Sequence, residues 1–188
     1  TPNENAIEDY LSLIHSLAEF ADAFVVNISS PNTLGLRDLQ NSAFLIDLLP
    51  PLVSAAKKYQ RPLLLKLSPD LNEADLKETL LLSVEKGVDG FVLTNTTLDR
   101  DTNSPFPPVG GVSGQPLKEK SLLILRQTLQ ILGERRRGLL IVSVGGIMKP
   151  EDVFERLRLG ADLVEVYSAL VLKGPGFFHH VAGKASPP

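Results

Sequence analysis

The chain contains no cysteine, which removes disulfide frameworks, thiolate metal sites and a cysteine nucleophile or base. It has no excess of positive charge either: 19 basic against 22 acidic side chains leave a formal charge of −3. Without a basic field nothing attracts a phosphate backbone, so no nucleic-acid partner is expected. No apolar run is long enough to cross a bilayer, and Thr1 to Glu4 has no basic stretch leading into an apolar one. Any membrane contact is therefore expected to be peripheral and to use a segment outside these 188 residues. No G-x-G-x-x-G follows an apolar run, which weakens the case for a dinucleotide-binding open sheet.

What is present describes a packed globular unit. Hydrophobic residues make up 43% and charged residues 22%, too apolar for a disordered chain, and the length suits a single domain. Short runs of Val, Leu, Ile and Phe recur at Phe24 to Ile28, Leu63 to Leu67, Phe91 to Leu93, Leu139 to Val144 and Leu163 to Val166. Continuous rather than alternating apolarity predicts strands buried on both faces, as in a parallel sheet.

Helical patterns lie between these runs. Ile7, Tyr10, Leu11, Ile14 and Leu17 repeat at the spacing of one helix face, and Asn5 with Glu8 resembles a capping box. A second helix is predicted over much of Ala43 to Tyr59, with Pro50 and Pro51 in its first turn or breaking it. Asn72 caps a third that carries Leu76, Leu80 and Val84 and stops at Gly87. Pro116 opens a fourth, ending at Gly133, and Pro150 a fifth, with Glu151 and Asp152 at its positive end and Gly160 closing it. The joints into three strands echo one another: Ala21-Asp22-Ala23-Phe24, Val88-Asp89-Gly90-Phe91 and Ala161-Asp162-Leu163-Val164.

Alternating strands and helices admit an open doubly wound sheet or a closed (β/α)₈ barrel. Each apolar run ends in polar or glycine residues, namely Asn27, Ser29 and Ser30; Lys66 and Ser68; Thr94, Asn95 and Thr96; Gly145 and Gly146; Tyr167 and Ser168. Polar groups gathered at carboxy-terminal strand ends mark the active face of a barrel, which is the preferred reading. A closed barrel has eight strands in about 250 residues, so roughly three strands are expected outside this chain, with truncation at both ends. The predicted fold class is α/β, a (β/α)₈ TIM barrel, incomplete here with about five parallel strands. Its open strand edges are expected to favour self-association.

The most specific segment is Asn27-Ile28-Ser29-Ser30-Pro31-Asn32-Thr33-Leu34-Gly35-Leu36-Arg37. Ser, Pro and Asn also favour a plain turn, but with Asn27 before and Gly35-Leu36-Arg37 after, the segment resembles the signature of dihydroorotate dehydrogenases. The resemblance implies that Asn27 contacts flavin and substrate, Ser30 is the catalytic base and Asn32 binds substrate. Members using a soluble electron acceptor carry cysteine at the base position and quinone-linked members carry serine, so Ser30 implies the quinone-linked branch. A serine hydroxyl is a poor base near neutral pH and needs a proton path, in which the resemblance gives Thr33 one link.

Lys66 sits within Leu63-Leu64-Leu65-Lys66-Leu67-Ser68-Pro69-Asp70, where a buried ammonium needs an acceptor or must snorkel to water. By resemblance it lies against the flavin ring. Thr94-Asn95-Thr96-Thr97 is similar to the family's strand-end motif, which implies that Thr94 contacts FMN while Asn95 and Thr96 hold substrate. Asp99 to Gly114 is a long Pro- and Gly-rich connection of the kind that forms lids or binding loops, and by resemblance Gly114 approaches FMN. Val144-Gly145-Gly146-Ile147 and Val166-Tyr167-Ser168 follow what would be the last two strands, where barrels commonly bind phosphate. Gly145, Gly146, Tyr167 and Ser168 therefore form the candidate set for the FMN phosphate, with serine at 168 where many relatives carry threonine. Arg135-Arg136-Arg137 reads as a solvated loop, and His15, His179 and His180 have no metal-ligand spacing, so no metal is expected.

The resemblance implies one FMN-binding barrel domain of which residues 1–188 are the carboxy-terminal part. It implies oxidation of dihydroorotate to orotate in de novo pyrimidine biosynthesis: Ser30 takes a proton, a hydride passes to flavin N5 and quinone reoxidises the flavin. The full-length enzyme is expected on the cytoplasmic face of a bacterial inner membrane, or at the mitochondrial inner membrane in a eukaryote, and this part alone is expected to be inactive or very weak. Another FMN- or phosphate-binding barrel oxidoreductase and a non-catalytic half-barrel binding module remain as alternatives.

Overall fold

A computed structural model describes residues 5–31, 42–100 and 105–185. Five strands, β1 (Phe24–Asn27), β2 (Leu63–Leu67), β3 (Gly90–Leu93), β4 (Leu140–Val144) and β5 (Leu163–Glu165), form one sheet in the order β1-β2-β3-β4-β5, every pair parallel. Parallel neighbours require a crossover, and helices α2 (Ser42–Lys58), α3 (Glu73–Glu85), α4 (Lys118–Leu132) and α5 (Pro150–Leu159) supply them. Helix α1 (Ala6–Leu17) precedes β1, while α6 (Ser168–Lys173) and α7 (Gly176–Ala185) follow β5. Sequential strand order without reversal is the winding of a barrel, and a doubly wound sheet would reverse at a switch point. The chain thus forms an incomplete (β/α) barrel of five parallel strands, as the sequence predicts.

The register sorts side chains onto two faces. On the outer face Val26, Leu63, Leu65, Leu67, Phe91, Leu93 and Ile141 are buried in one cluster with the inward stripes of α1 to α4. On the inner face Leu64, Val92 and Val142 form a separate small cluster. Along that face the flanking strands lack cover: Val25 of β1 is 46% exposed and Leu163 of β5 54%. Strands buried on both faces are therefore found only at β2, β3 and β4, and the prediction for all five fails at the edges because each edge strand has one neighbour.

Several local expectations hold for identifiable reasons. Asn72 Oδ1 accepts from Asp75 N at 2.9 Å, capping α3. Beyond its end, Gly87 N donates to Val84 O and Val88 N to Ser83 O, which satisfies carbonyls the helix leaves open. The strand-entry echo has a physical meaning: Asp89 Oδ2 accepts Leu63 N at 2.9 Å and Asp162 Oδ2 accepts Ile141 N at 2.8 Å. Each aspartate clamps the first amides of the preceding strand. Asp22 stands at the same joint before β1, which has no outer neighbour among the described residues, and its side chain is exposed, 4.0 Å from Arg61.

Other expectations require correction. Asn5 makes no capping bond with its side chain, because its backbone (φ −103°, ψ 8°) is not extended as a capping residue requires. The apolar stripe of α1 continues through buried Ala18, leaving Leu17 47% exposed. Pro50 and Pro51 lie inside α2 and neither break it nor start it. The carbonyls four residues back belong to Ile46 and Asp47, both on the exposed side, where water can replace the lost bonds. Leu45, Leu48, Leu49 and Leu52 hold the opposite side in the core without exposure. Arg135 and Arg137 are exposed as predicted, but Arg136 is only partly so: its guanidinium donates to Gly160 O and to Asp162 Oδ1, locking the α4–β4 connection to the β5 joint.

Candidate active site

Carboxy-terminal strand ends converge on a cleft of about 560 Å³. Its wall includes Lys66 from β2, Thr94, Asn95 and Thr96 directly after β3, Gly114 at the end of the long connection from β3 to α4, Gly145 and Gly146 after β4, and Tyr167 and Ser168 after β5. Nine of the residues singled out in the sequence are brought together there. Apolar surface between the polar ends comes from Leu117, Val144, Ile147, Val164 and Val166. A concave apolar surface with a few convergent polar groups is the usual form of a small-molecule site.

Asn27 joins this set through hydrogen bonds. Its Oδ1 accepts from Asn95 Nδ2 at 3.1 Å and from Ser29 Oγ at 3.1 Å, and Asn95 Nδ2 also reaches Ser29 Oγ at 3.2 Å. Behind β1, the Tyr10 hydroxyl donates to Asn27 O at 3.1 Å, and burial raises its pKa. Ser30 is half-buried in the loop after β1 and is not part of the cleft wall. The next residue, Pro31, packs with Thr96 against Gly111, where an added Cβ would stand 1.9 Å from Thr96 Oγ1 and 2.8 Å from Pro31 Cγ. Asn32 and Thr33 lie outside the described residues.

Lys66 has an ion-pair partner in place of a hydrogen-bond acceptor. Glu165 Oε2 on β5 stands 3.7 Å from its Nζ, across the inner face of the sheet. A carboxylate two residues before Tyr167 inside an apolar run was the available signal for Glu165, but its pairing needs the strand order. Ser113 was also missed; its Oγ lies 3.2 Å from Ser168 Oγ and links the long loop to the end of β5.

The loop after β3 is tied down from below. Asp70 accepts from Leu98 N at 2.8 Å, from Thr97 Oγ1 and from Lys120 Nζ, while Lys120 also pairs with Asp99. Burial alone would lower the Lys120 pKa, but the bonds to Asp70 and Asp99 outweigh it and hold it above the usual lysine value. Arg100 then gathers the carbonyls of Leu98, Pro107 and Gly110, fixing the root of the connection to Gly114.

A second network lies under Gly145 and Gly146. Asp152, buried at the start of α5, accepts from Met148 N at 2.9 Å, Lys149 N at 3.1 Å and Lys118 Nζ at 2.7 Å. Burial pushes its pKa up, but these three bonds together keep the carboxyl below the ordinary aspartate value. The bond to Asp152 in turn raises Lys118, against its own desolvation.

The sequence model described as dihydroorotate dehydrogenase matches residues 2–185. The chain belongs to the dihydroorotate dehydrogenase family. A dihydroorotate dehydrogenase (quinone) of Thermus thermophilus is 48% identical over 94% of this chain and 50% of its own length. Those of Nautilia profundicola and Dichelobacter nodosus are 42% and 40% identical, over 94% and 100% of this chain and 47% and 57% of their own lengths. Among solved structures, DHODH of Eimeria tenella in complex with ferulenol superposes with a TM-score of 0.85 at 29% identity, covering 94% of this chain and 52% of that one. Its ligand-free form gives 0.84 at 30% identity, covering 96% and 55%. The chain therefore spans about half the length of the dihydroorotate dehydrogenases it matches.

Proposed function

We propose that residues 1–188 are the carboxy-terminal part of a single FMN-binding barrel domain, and that the whole enzyme oxidises dihydroorotate to orotate with quinone as electron acceptor. The observation that carries this reading is the single cleft uniting Lys66, Thr94, Asn95, Thr96, Gly114, Gly145, Gly146, Tyr167 and Ser168 in a chain of this family. Serine at position 30 and relatives named as quinone-linked support the choice of acceptor. The whole enzyme would meet its lipid-dissolved quinone at the cytoplasmic face of a bacterial inner membrane, or at the inner mitochondrial membrane in a eukaryote, by peripheral contact. Among the described residues, no helix is long and apolar enough to cross one.

The residues fit FMN. Main-chain groups of Gly114, Gly145 and Gly146 and the Ser168 hydroxyl would offer donors to its phosphate, Lys66 and Thr94 polar contacts, and Val144, Val164 and Val166 apolar surface, all in the wall of one cleft. When bound, FMN takes up the electron pair and one hydrogen leaving the substrate. Lys66 would offer positive charge to the bound ring, with Glu165 Oε2 3.7 Å from its Nζ as the partner that orients it. Asn27 and Asn95, already bonded to each other, present amides to the substrate with little freedom left to lose. Asn32 and Thr96 complete the substrate set. Ser30 would take the proton from the substrate carbon as it gives up its own hydroxyl proton through Thr33 to solvent, since a neutral hydroxyl cannot hold a second proton.

Co-expression with the amino-terminal half of the Thermus thermophilus relative gives the test. Dihydroorotate oxidation is expected with a water-soluble quinone analogue and not with fumarate or NAD, and the chain without the added half is expected to show little or none. Turnover with fumarate or NAD in place of the quinone would remove the assignment to the quinone-linked branch.

A further inference from the structure

Among the described residues Arg156 is the largest side chain with no exposure at all, and it is absent from the cleft wall. Nothing in the sequence marked it, because an arginine in the polar pattern of α5 reads as a solvent-facing residue. Its Nη1 donates to Ser143 Oγ at 3.0 Å, and its Nη2 reaches Ser121 Oγ at 2.9 Å, Gly145 O at 2.8 Å and Lys118 O at 3.3 Å. Ser121 Oγ stands 2.8 Å from the same Gly145 carbonyl, so that oxygen is held from two sides. One buried guanidinium thus joins α5, the end of β4, the turn after it and the start of α4.

Burying a guanidinium is costly unless it is fully used, and here Nη1 and Nη2 are bonded while Nε has no partner among the described residues. Desolvation lowers the Arg156 pKa below the ordinary arginine value, to about 10, so it keeps its charge at neutral pH and bears the cost. Plain packing would be served as well by an apolar side chain, which suggests that the charge is retained for what it orients. The Gly145–Gly146 peptide is trans, and in a trans peptide the C=O and N–H point opposite ways. Fixing the Gly145 carbonyl against Arg156, behind the turn, directs the Gly146 N–H to the other side, which lines the cleft. Gly146 is held there from behind as well, since an added Cβ would stand 2.3 Å from Lys118 Cα.

We infer that Arg156 is a positioning residue for the phosphate of the flavin cofactor: it sets the orientation of the Gly145–Gly146 peptide, whose one N–H, on Gly146, would receive that phosphate. The inference rests on the FMN reading proposed above. It adds a residue that touches neither cofactor nor substrate. A charge buried about one peptide away from the phosphate also strengthens the local positive potential, which a neutral residue of equal volume would not do.

The test compares FMN with riboflavin, which has the same ring and no phosphate. Apparent dissociation constants are measured by flavin fluorescence for the reconstituted complex carrying Arg156, Arg156→Lys or Arg156→Met, with the thermal midpoint of each. FMN affinity is expected to fall about tenfold or more in Arg156→Met, to recover partly in Arg156→Lys, and riboflavin affinity to stay within about twofold throughout, a tenfold change being about 1.4 kcal/mol. Equal losses for both ligands, or a drop in thermal midpoint with the FMN-to-riboflavin ratio unchanged, would overturn the positioning role and leave Arg156 as packing. Should Arg156→Met fail to fold, the ratio in Arg156→Lys decides alone. A complex with Arg156 that binds FMN no better than riboflavin, or binds neither, would overturn the cofactor reading underneath.

Discussion

Gly146 shows how little freedom single positions of the cleft retain. Its φ is +71°, in the left-handed region that side chains avoid, and the backbone of Lys118 fills the space a Cβ would need. Gly146→Ala is therefore expected to destabilise the protein by about 2 kcal/mol or more. Thermal denaturation of the reconstituted complex should show a midpoint lower by several degrees, and an unchanged midpoint would mean that the turn has room to shift. The glycine pair was visible in the sequence as a group able to approach a phosphate closely. Its tight packing against α4 was not visible, because that contact brings together residues 28 positions apart.

Elements were legible where the signal is local. Asn72 before α3, Gly160 after α5 and the five apolar runs are short-range features, and strands and helices stand at those places. Signals fail where tertiary packing decides. The apolar face of α2 carries its two prolines through the helix, and neither Arg156 nor the Glu165 partner of Lys66 can be found without knowing which strands and helices are neighbours. The start of α5 gives a prediction at this scale. The folded-state pKa of Asp152 is depressed, so the stability it contributes is present above the ordinary aspartate value and is lost as pH falls through the folded one. Lys118, raised in the folded state, keeps its contribution until pH climbs past the ordinary lysine value. Asp152→Asn is expected to lower the urea midpoint at pH 7, and that deficit should shrink below about pH 4. A deficit that is constant from pH 7 to pH 3 would show that the carboxylate charge contributes nothing.

At the scale of the whole molecule, β1 and β5 are unmatched edges of the sheet among the described residues. Val25 and Leu163 expose inner-face surface at opposite ends of it, and the chain covers about half the length of its relatives. Open parallel edges favour pairing with another chain, so in sedimentation the isolated chain is expected to self-associate and the added amino-terminal half to replace that with a one-to-one complex. Asp22 supplies a residue-specific form of the same prediction. Asp89 and Asp162 at the equivalent joints each clamp an amide of the preceding strand, while Asp22 stands exposed, 4.0 Å from Arg61. Asp22→Asn is expected to weaken assembly with the added half several-fold and to leave the thermal midpoint of the isolated chain within about a degree, since exposed pairs contribute little. Equal assembly by both forms would show that Asp22 is not such a clamp.

The central claim is that the cleft belongs to a dihydroorotate-oxidising flavoprotein with Ser30 as its base. Anaerobic addition of dihydroorotate to the purified complex, followed at the oxidised-flavin absorbance band, tests it most directly when Ser30→Ala is run beside the parent. Rapid bleaching by the parent and a rate lower by at least about 10²-fold in Ser30→Ala is the predicted result. A complex that retains FMN but does not bleach, or bleaching at equal rates with and without the Ser30 hydroxyl, would contradict it.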